Sequence, residues 1–167
     1  MTLLIIRHAI AENPEGLARN GKDDAQRALT KQGRRRMRRA AKAIRQLVPD
    51  LKLLATSPLV RAVQTGEIIK AAYEGLPMVQ IAPLAPRKSV AAILQWLQQQ
   101  KPDATIGLVG HEPQLGVFVS WMMTGLQEPF VVFKKGGACL LQIDGEVRAG
   151  RAKLMWLLKS SQLRKLA

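Results

Sequence analysis

Apolar and polar positions fall into two repeating patterns along this chain: short continuous apolar runs, and longer stretches in which apolar residues recur every three or four positions. Leu3-Leu-Ile-Ile-Arg7 is a run of the first kind, as expected for a strand buried on both faces. A polar stretch with Pro14, Gly16 and Gly21 follows and reads as a loop. Thr30 then offers an N-cap to a helix with Met37, Ala40, Ala41, Ile44, Leu47 and Val48 on one face, closed by Pro49. Leu51 to Thr56 reads as a second strand. In Ser57-Pro58 the serine suits the cap and the proline the first position of a helix running to about Tyr73.

The alternation continues with a strand from Met78 to Ala82, a helix from Ser89 to Gln99 and a strand from Thr105 to Val109. Gly110-His111-Glu112-Pro113 then leads into a helix to about Met123. Beyond it, Phe130 to Phe133, Ala138 to Ile143 and Lys153 to Leu158 read as strands. They are separated by Gly136-Gly137 and by Asp144-Gly145, the latter a hairpin signal. Repeated strand-helix units predict an α/β fold: a three-layer sandwich with helices on both faces of a central, mostly parallel sheet.

Length and composition narrow the class. A chain of 167 residues is expected to form one domain, residues 1–167, burying roughly two-thirds of the surface its unfolded form exposes. The lone Cys139 cannot bridge within the chain, and two histidines without a second cysteine cannot build a Cys/His zinc site. The expectation is a cytoplasmic, soluble protein without metal or cofactor, because no apolar run approaches the roughly 18 residues of a membrane span.

The net charge of +14 is unevenly placed. Lys31, Arg34, Arg35, Arg36, Arg38, Arg39, Lys42 and Arg45 share a segment without an acid; Arg148, Arg151, Lys153, Lys159, Arg164 and Lys165 share another. These fourteen residues account for the whole excess, and the remainder of the chain is neutral. Such a field implies an acidic partner. Seven aromatic residues are few for stacking bases, and no RNP or zinc motif is present, so nucleic acid is disfavoured.

In open α/β sheets ligands bind beyond the carboxyl ends of the strands. The first predicted strand ends in Arg7-His8, the second in Ser57-Pro58 with Arg61 one turn on, and the fourth in Gly110-His111-Glu112. The only two histidines of the chain therefore fall at such ends, with two arginines beside them. Two imidazoles, two guanidiniums and the helix starts at Ser57 and Pro113 suit a phosphoryl group: fixed forks for its oxygens and dipoles for its charge.

Arg7-His8-Ala9 after an apolar strand resembles the R-H-G signature of the histidine phosphatase superfamily. Leu29-Thr30-x-x-Gly33, Ser57-Pro58-Leu59-x-Arg61-Ala62-x-Gln64-Thr65 and Gly110-His111-Glu112 look like its later motifs in the usual order. The small size is similar to that of SixA-type phosphohistidine phosphatases. The resemblance implies a phosphoglycerate mutase-like fold and a phosphatase with His8 as nucleophile. It makes Arg7, Arg61 and His111 the groups that hold the phosphoryl oxygens, joined by Ser57 in substrate binding, with no metal required. Ala9 stands where the family usually has glycine. Where many members carry a Glu or Asp after the third strand, no acid occurs between Glu74 and Asp103. Asp23, Asp24 and Glu112 are the alternative candidates for a general acid.

The missing acid bears on the substrate. An alkoxide leaving group is about as basic as hydroxide, whereas a protonated phosphoimidazole releases neutral imidazole. The pKa gap is roughly 9 units, an upper bound on the order of 12 kcal/mol in the barrier. A phosphohistidine substrate on a phosphotransfer or signalling protein is therefore expected, with inorganic phosphate as product. Because phosphotransfer domains are often acidic, the basic helix over 31–45 suits such a partner. The alternative is a small-molecule phosphomonoesterase.

Overall fold

The computed structural model describes residues 1–14 and 23–167. The expected loop around Gly16 and Gly21 lies outside the described residues. Six strands form one sheet in the order β3-β2-β4-β1-β5-β6, with β1 at Thr2–Arg7, β2 at Leu53–Thr56, β3 at Met78–Gln80, β4 at Thr105–Gly110, β5 at Ala138–Ile143 and β6 at Ala152–Leu158. The first four are mutually parallel; β5 runs antiparallel to both β1 and β6. Among the described residues there are five α-helices, α1 (Lys31–Leu47), α2 (Val60–Lys70), α3 (Val90–Gln98), α4 (Gln114–Thr124) and α5 (Ser160–Leu163).

The continuous apolar pattern of β1 has the expected consequence. Leu3, Leu4, Ile5 and Ile6 are all fully buried. Leu3 and Ile5 enter a core shared with α3 and α4, while Leu4 and Ile6 enter another shared with α1 and α2. Period-two alternation thus feeds both faces of the sheet, each buried aliphatic side chain being worth about 1.5–3 kcal/mol. The stripe of α1 holds for Met37, Ala40, Ala41 and Ile44, which are buried, and for Val48 just beyond it, but Leu47 in the last turn is exposed.

Three further expectations fail. Ser57 does not cap α2. Leu59 holds that position and the helix begins at Val60, because the Ser57 hydroxyl lies against His111. Phe130 to Phe133 is no strand: its amides go to side chains, Phe130 and Val131 to Ser120 Oγ and Phe133 to Glu112 Oε1, so no ladder forms. Asp144-Gly145 does not make a two-residue hairpin, since β5 and β6 are joined across residues 144–151. Gly145 nevertheless has the positive φ of 76° that its turn signal implies.

The order β2-β4-β1 places three carboxyl ends side by side. Arg7 pairs with Gly110 and Thr56 with Val109, so the residues that follow, His8, His111 and Ser57, emerge at one level of the sheet rim. The His8 amide donates to the Gly110 carbonyl at 3.0 Å and the Ser57 amide to Val109 at 2.9 Å, extending the ladders past the strand ends.

Candidate active site

The rim brings together four of the residues expected from sequence. His8 and His111 are buried, with ring centroids 5.1 Å apart and planes tilted by 52°. Arg61, also buried, reaches them from the first turn of α2, and Arg7 from the end of β1.

His8 is held in one orientation and one tautomer. Its Nδ1 lies 2.8 Å from the Ala9 carbonyl oxygen, an acceptor only, so Nδ1 carries the proton and Nε2 keeps a lone pair. The turn that presents that carbonyl is fixed in turn. The Ala9 amide donates to Thr65 Oγ1 at 3.0 Å, and the same hydroxyl donates to the Arg61 carbonyl at 2.7 Å. Gln64 Oε1 accepts from the Leu29 amide at 2.8 Å, tying α2 to the segment before α1. Gly33 lies where a Cβ would run into the Ile10 carbonyl oxygen, so glycine permits the close approach of α1 to the chain leaving His8. The methyl of Ala9 is buried in the core beneath α1 and α2.

The second imidazole is positioned by Ser57. His111 Nε2 lies 2.8 Å from Ser57 Oγ, which accepts from the Leu59 amide at 3.3 Å. When the hydroxyl donates to Nε2, the His111 proton sits on Nδ1, a buried nitrogen with no protein partner. Ser57 therefore acts on the site through His111.

Burial sets the charge state. It holds the His8 imidazole down to about 4, reinforced by the cations Arg61, Arg7 and Arg27 against the opposing Ala9 carbonyl. It holds His111 down to about 3, with His8 and Arg61 adding to the effect. Both rings are neutral at pH 7, the state a nucleophile requires. The sign for stability follows: unfolded histidines take up protons near 6.5, folded ones only near 4 and 3, so stability falls as pH drops below about 6.5. Between pH 7.5 and 5.5 the two together should cost about 3 kcal/mol. Chemical denaturation at the two pH values checks this, and saturating phosphate should shrink the difference by favouring the charged rings.

Asp24 and Arg27 also belong to the site. Asp24 lies on a short 3-10 turn, Asp24–Gln26, and takes both terminal nitrogens of Arg61: Nη1 donates to its carbonyl at 2.8 Å and Nη2 to Oδ2 at 3.0 Å. Arg27 Nε pairs with Asp24 Oδ1 at 2.7 Å. Arg27 escaped the sequence reading; the available signal was a D-x-x-R step ending two residues before Leu29-Thr30. Arg7 Nη1 donates to the Phe133 carbonyl at 2.6 Å and Glu112 accepts from the Phe133 amide at 2.6 Å, so the segment after Phe130 braces the site. Arg7 Nε, Arg61 Nε and His111 Nδ1 are buried with no protein partner. Buried donors of this kind call for an acceptor from outside the chain. Three of them around a neutral nucleophile suit an oxyanion.

Each of the three candidate acids is engaged as an acceptor, and Glu112 also lines the cleft beside His111. Burial pushes the Asp24 carboxyl up, but Arg61 and Arg27 together hold it below the usual carboxylate range. Glu112 accepts a backbone hydrogen bond, and Asp23 accepts from the Ala25 amide as a cap. Among the described residues no group of three or more His, Cys, Asp or Glu is arranged to hold a metal ion.

Residues 3–88 match the family model of the histidine phosphatase superfamily, branch 1. The chain belongs to that superfamily. Membership makes it a phosphatase-type hydrolase. This histidine phosphatase is 37% identical over 139 residues to an uncharacterised protein of Picosynechococcus sp., across 82% of each chain. Its fold is similar to that of the protein histidine phosphatase SixA complexed with tungstate, with a TM-score of 0.82 and 22% identity over 98% of this chain and 99% of the other. It is also similar to phosphoserine phosphatase of Entamoeba histolytica in complex with 3-phosphoglyceric acid, with a TM-score of 0.61 and 17% identity over 97% and 98%. No helix among the described residues is long and apolar enough to cross a membrane.

Proposed function

We propose that this histidine phosphatase removes the phosphoryl group from a histidine of an acidic phosphotransfer or signalling protein, by way of a phospho-His8 intermediate. His8 Nε2 attacks phosphorus as the bond to the substrate imidazole breaks; that imidazole departs neutral if its other nitrogen entered protonated. Arg7, Arg61 and the His111 Nδ1 proton hold the three oxygens, whose charge needs positioned donors more than further covalent chemistry. Water then attacks phospho-His8 and releases inorganic phosphate.

The observation that carries the substrate class is that, among the described residues, the candidate acids at the rim serve as hydrogen-bond acceptors. Asp24 is committed to two arginines, Glu112 to a backbone amide, and the loop after β3 brings Arg87 and Lys88 to the cleft beside His111. An alkoxide would leave this site unprotonated, which the roughly 9-unit gap in leaving-group pKa makes far slower than loss of imidazole. A phosphorylated histidine protein, an alkyl phosphate and an aryl phosphate should be offered to the enzyme. The expected order is phosphohistidine and aryl phosphate turned over, with alkyl phosphate at least 1,000-fold slower. Alkyl phosphate turnover within tenfold of phosphohistidine would overturn the reading.

The small-molecule phosphomonoesterase reading has one observation in its favour, a cleft of about 480 Å³ between Arg87, Ser89, His111 and Gln127, large enough for a small organic phosphate. The same alkyl phosphate assay decides it.

The acidic partner rests on the exposed Arg35, Arg38 and Arg39 of α1. Reversing all three to Glu should raise the KM for a phosphorylated protein at least tenfold while leaving a small phosphoramidate unaffected. Equal effects on both would rule out docking by this face.

A further inference from the structure

The two basic segments of the sequence meet in space. α5 packs on α1, and Arg39 Nη2 donates to the Arg164 carbonyl at 3.2 Å. Between them lies a pocket of about 180 Å³, floored by Ala9, Ile10, Gly33 and Met37 and ringed by Arg36, Lys134, Lys135, Lys159 and Arg164. Five cations converge there, and among the described residues no carboxylate lines the pocket. Charges of one sign gathered against their repulsion, without counter-charge from the chain, make a concave positive field.

The two arginines are not loose surface groups. Arg36 and Arg164 are half-buried, and Arg164 Nη1 is fixed on Ser160 Oγ at 2.9 Å. Burial, with Arg36 and Arg39 nearby, holds the Arg164 guanidinium below its ordinary value, the strain that an anion would relieve. The hydroxyls of Ser160 and Ser161 add donors at the same wall. None of Arg7, His8, Arg61 or His111 lines this pocket, so it is not an extension of the phosphoryl seat. At about 180 Å³ it has room for one or two phosphoryl groups but not for a helix.

We propose that this pocket is a second binding site for a compact, multiply charged oxyanion of the phosphate class, separate from the site at His8. Arginine forks take oxygens in pairs while the three lysines supply point charge, a combination that favours phosphoryl groups over monocarboxylates. The Gly136 amide, which donates to the His8 carbonyl at 3.0 Å, places the pocket one residue from the backbone of the nucleophile.

Inorganic pyrophosphate is the probe, followed by amide chemical shifts of the full-length protein. The expected result is saturable shifts at Gly33, Lys135, Gly136 and Ser160, with a dissociation constant unchanged in Arg61→Ala and weakened at least tenfold in Arg36→Gln/Arg164→Gln. Acetate at the same ionic strength should leave those amides unmoved. If the double variant fails to fold, Lys135→Gln, at an exposed position, should weaken binding about threefold on a folded background. Shifts that never saturate, that respond equally to acetate, that vanish in Arg61→Ala or that survive the pocket variants unchanged would each overturn the proposal.

Discussion

His8→Ala is expected to abolish the phosphoenzyme and to lower turnover by on the order of 10⁴-fold or more, the largest effect of any single substitution in this chain. The Ala9 carbonyl fixes the proton on Nδ1, and burial keeps the ring neutral, so Nε2 is an accessible lone pair at every pH above about 4. No other group at the rim shares those properties. His111 Nε2 is engaged by Ser57 Oγ, and its ring is suited to donate through Nδ1 instead. His111→Ala should therefore still form a phosphoenzyme, but about 10²- to 10³-fold more slowly, as expected for removal of one transition-state donor. Intact mass at neutral pH after mixing with a phosphoramidate reads the two variants apart. A phosphoenzyme that persists in His8→Ala would remove His8 from the nucleophile's role.

The rim was legible in the sequence for a definite reason. Strands buried on both faces announce themselves as apolar runs, and the first polar residues after such runs must stand at the carboxyl edge of a parallel sheet, which is where His8, Ser57 and His111 are found. α1 was equally legible because its stripe, its Thr30 cap and Pro49 all agree; the Thr30 hydroxyl does accept from the Gly33 amide at 3.0 Å. Two of the misread elements share another property: their hydrogen-bonding groups are claimed by side chains distant in sequence. Phe130 to Phe133 has strand composition, yet its amides belong to Ser120 and Glu112. Ser57-Pro58 has the chemistry of a helix start, yet the hydroxyl is drawn to His111, 54 positions away. Local propensity carries no record of such partners. The pairing of Asp24 with Arg61 was not legible for the same reason, since the two are 37 residues apart and only the fold brings them together.

That cluster supports the second large effect. Arg61→Ala should lower turnover about 10²- to 10³-fold, the loss expected for one donor of the proposed phosphoryl seat. Part of the loss has a different origin. Without Arg61, the Asp24 carboxylate keeps only Arg27 as a counter-charge and sets a negative group beside an incoming dianion. Asp24→Asn alone should have the opposite sign for ground-state binding: Arg61 and Arg27 are freed from their partner, and inorganic phosphate should inhibit several-fold more tightly while product release slows. The two changes share one contact, so they should not add. Arg61→Ala/Asp24→Asn should recover about tenfold of the activity lost in Arg61→Ala, whereas Arg61→Lys should recover less than the charge alone implies, because an ammonium cannot span both Asp24 and the phosphoryl group as a guanidinium fork does. Steady-state kinetics with a phosphoramidate, together with phosphate inhibition constants for the four proteins of the cycle, measures the coupling. Strict additivity would mean that Asp24 takes no part in setting the charge of the phosphoryl seat.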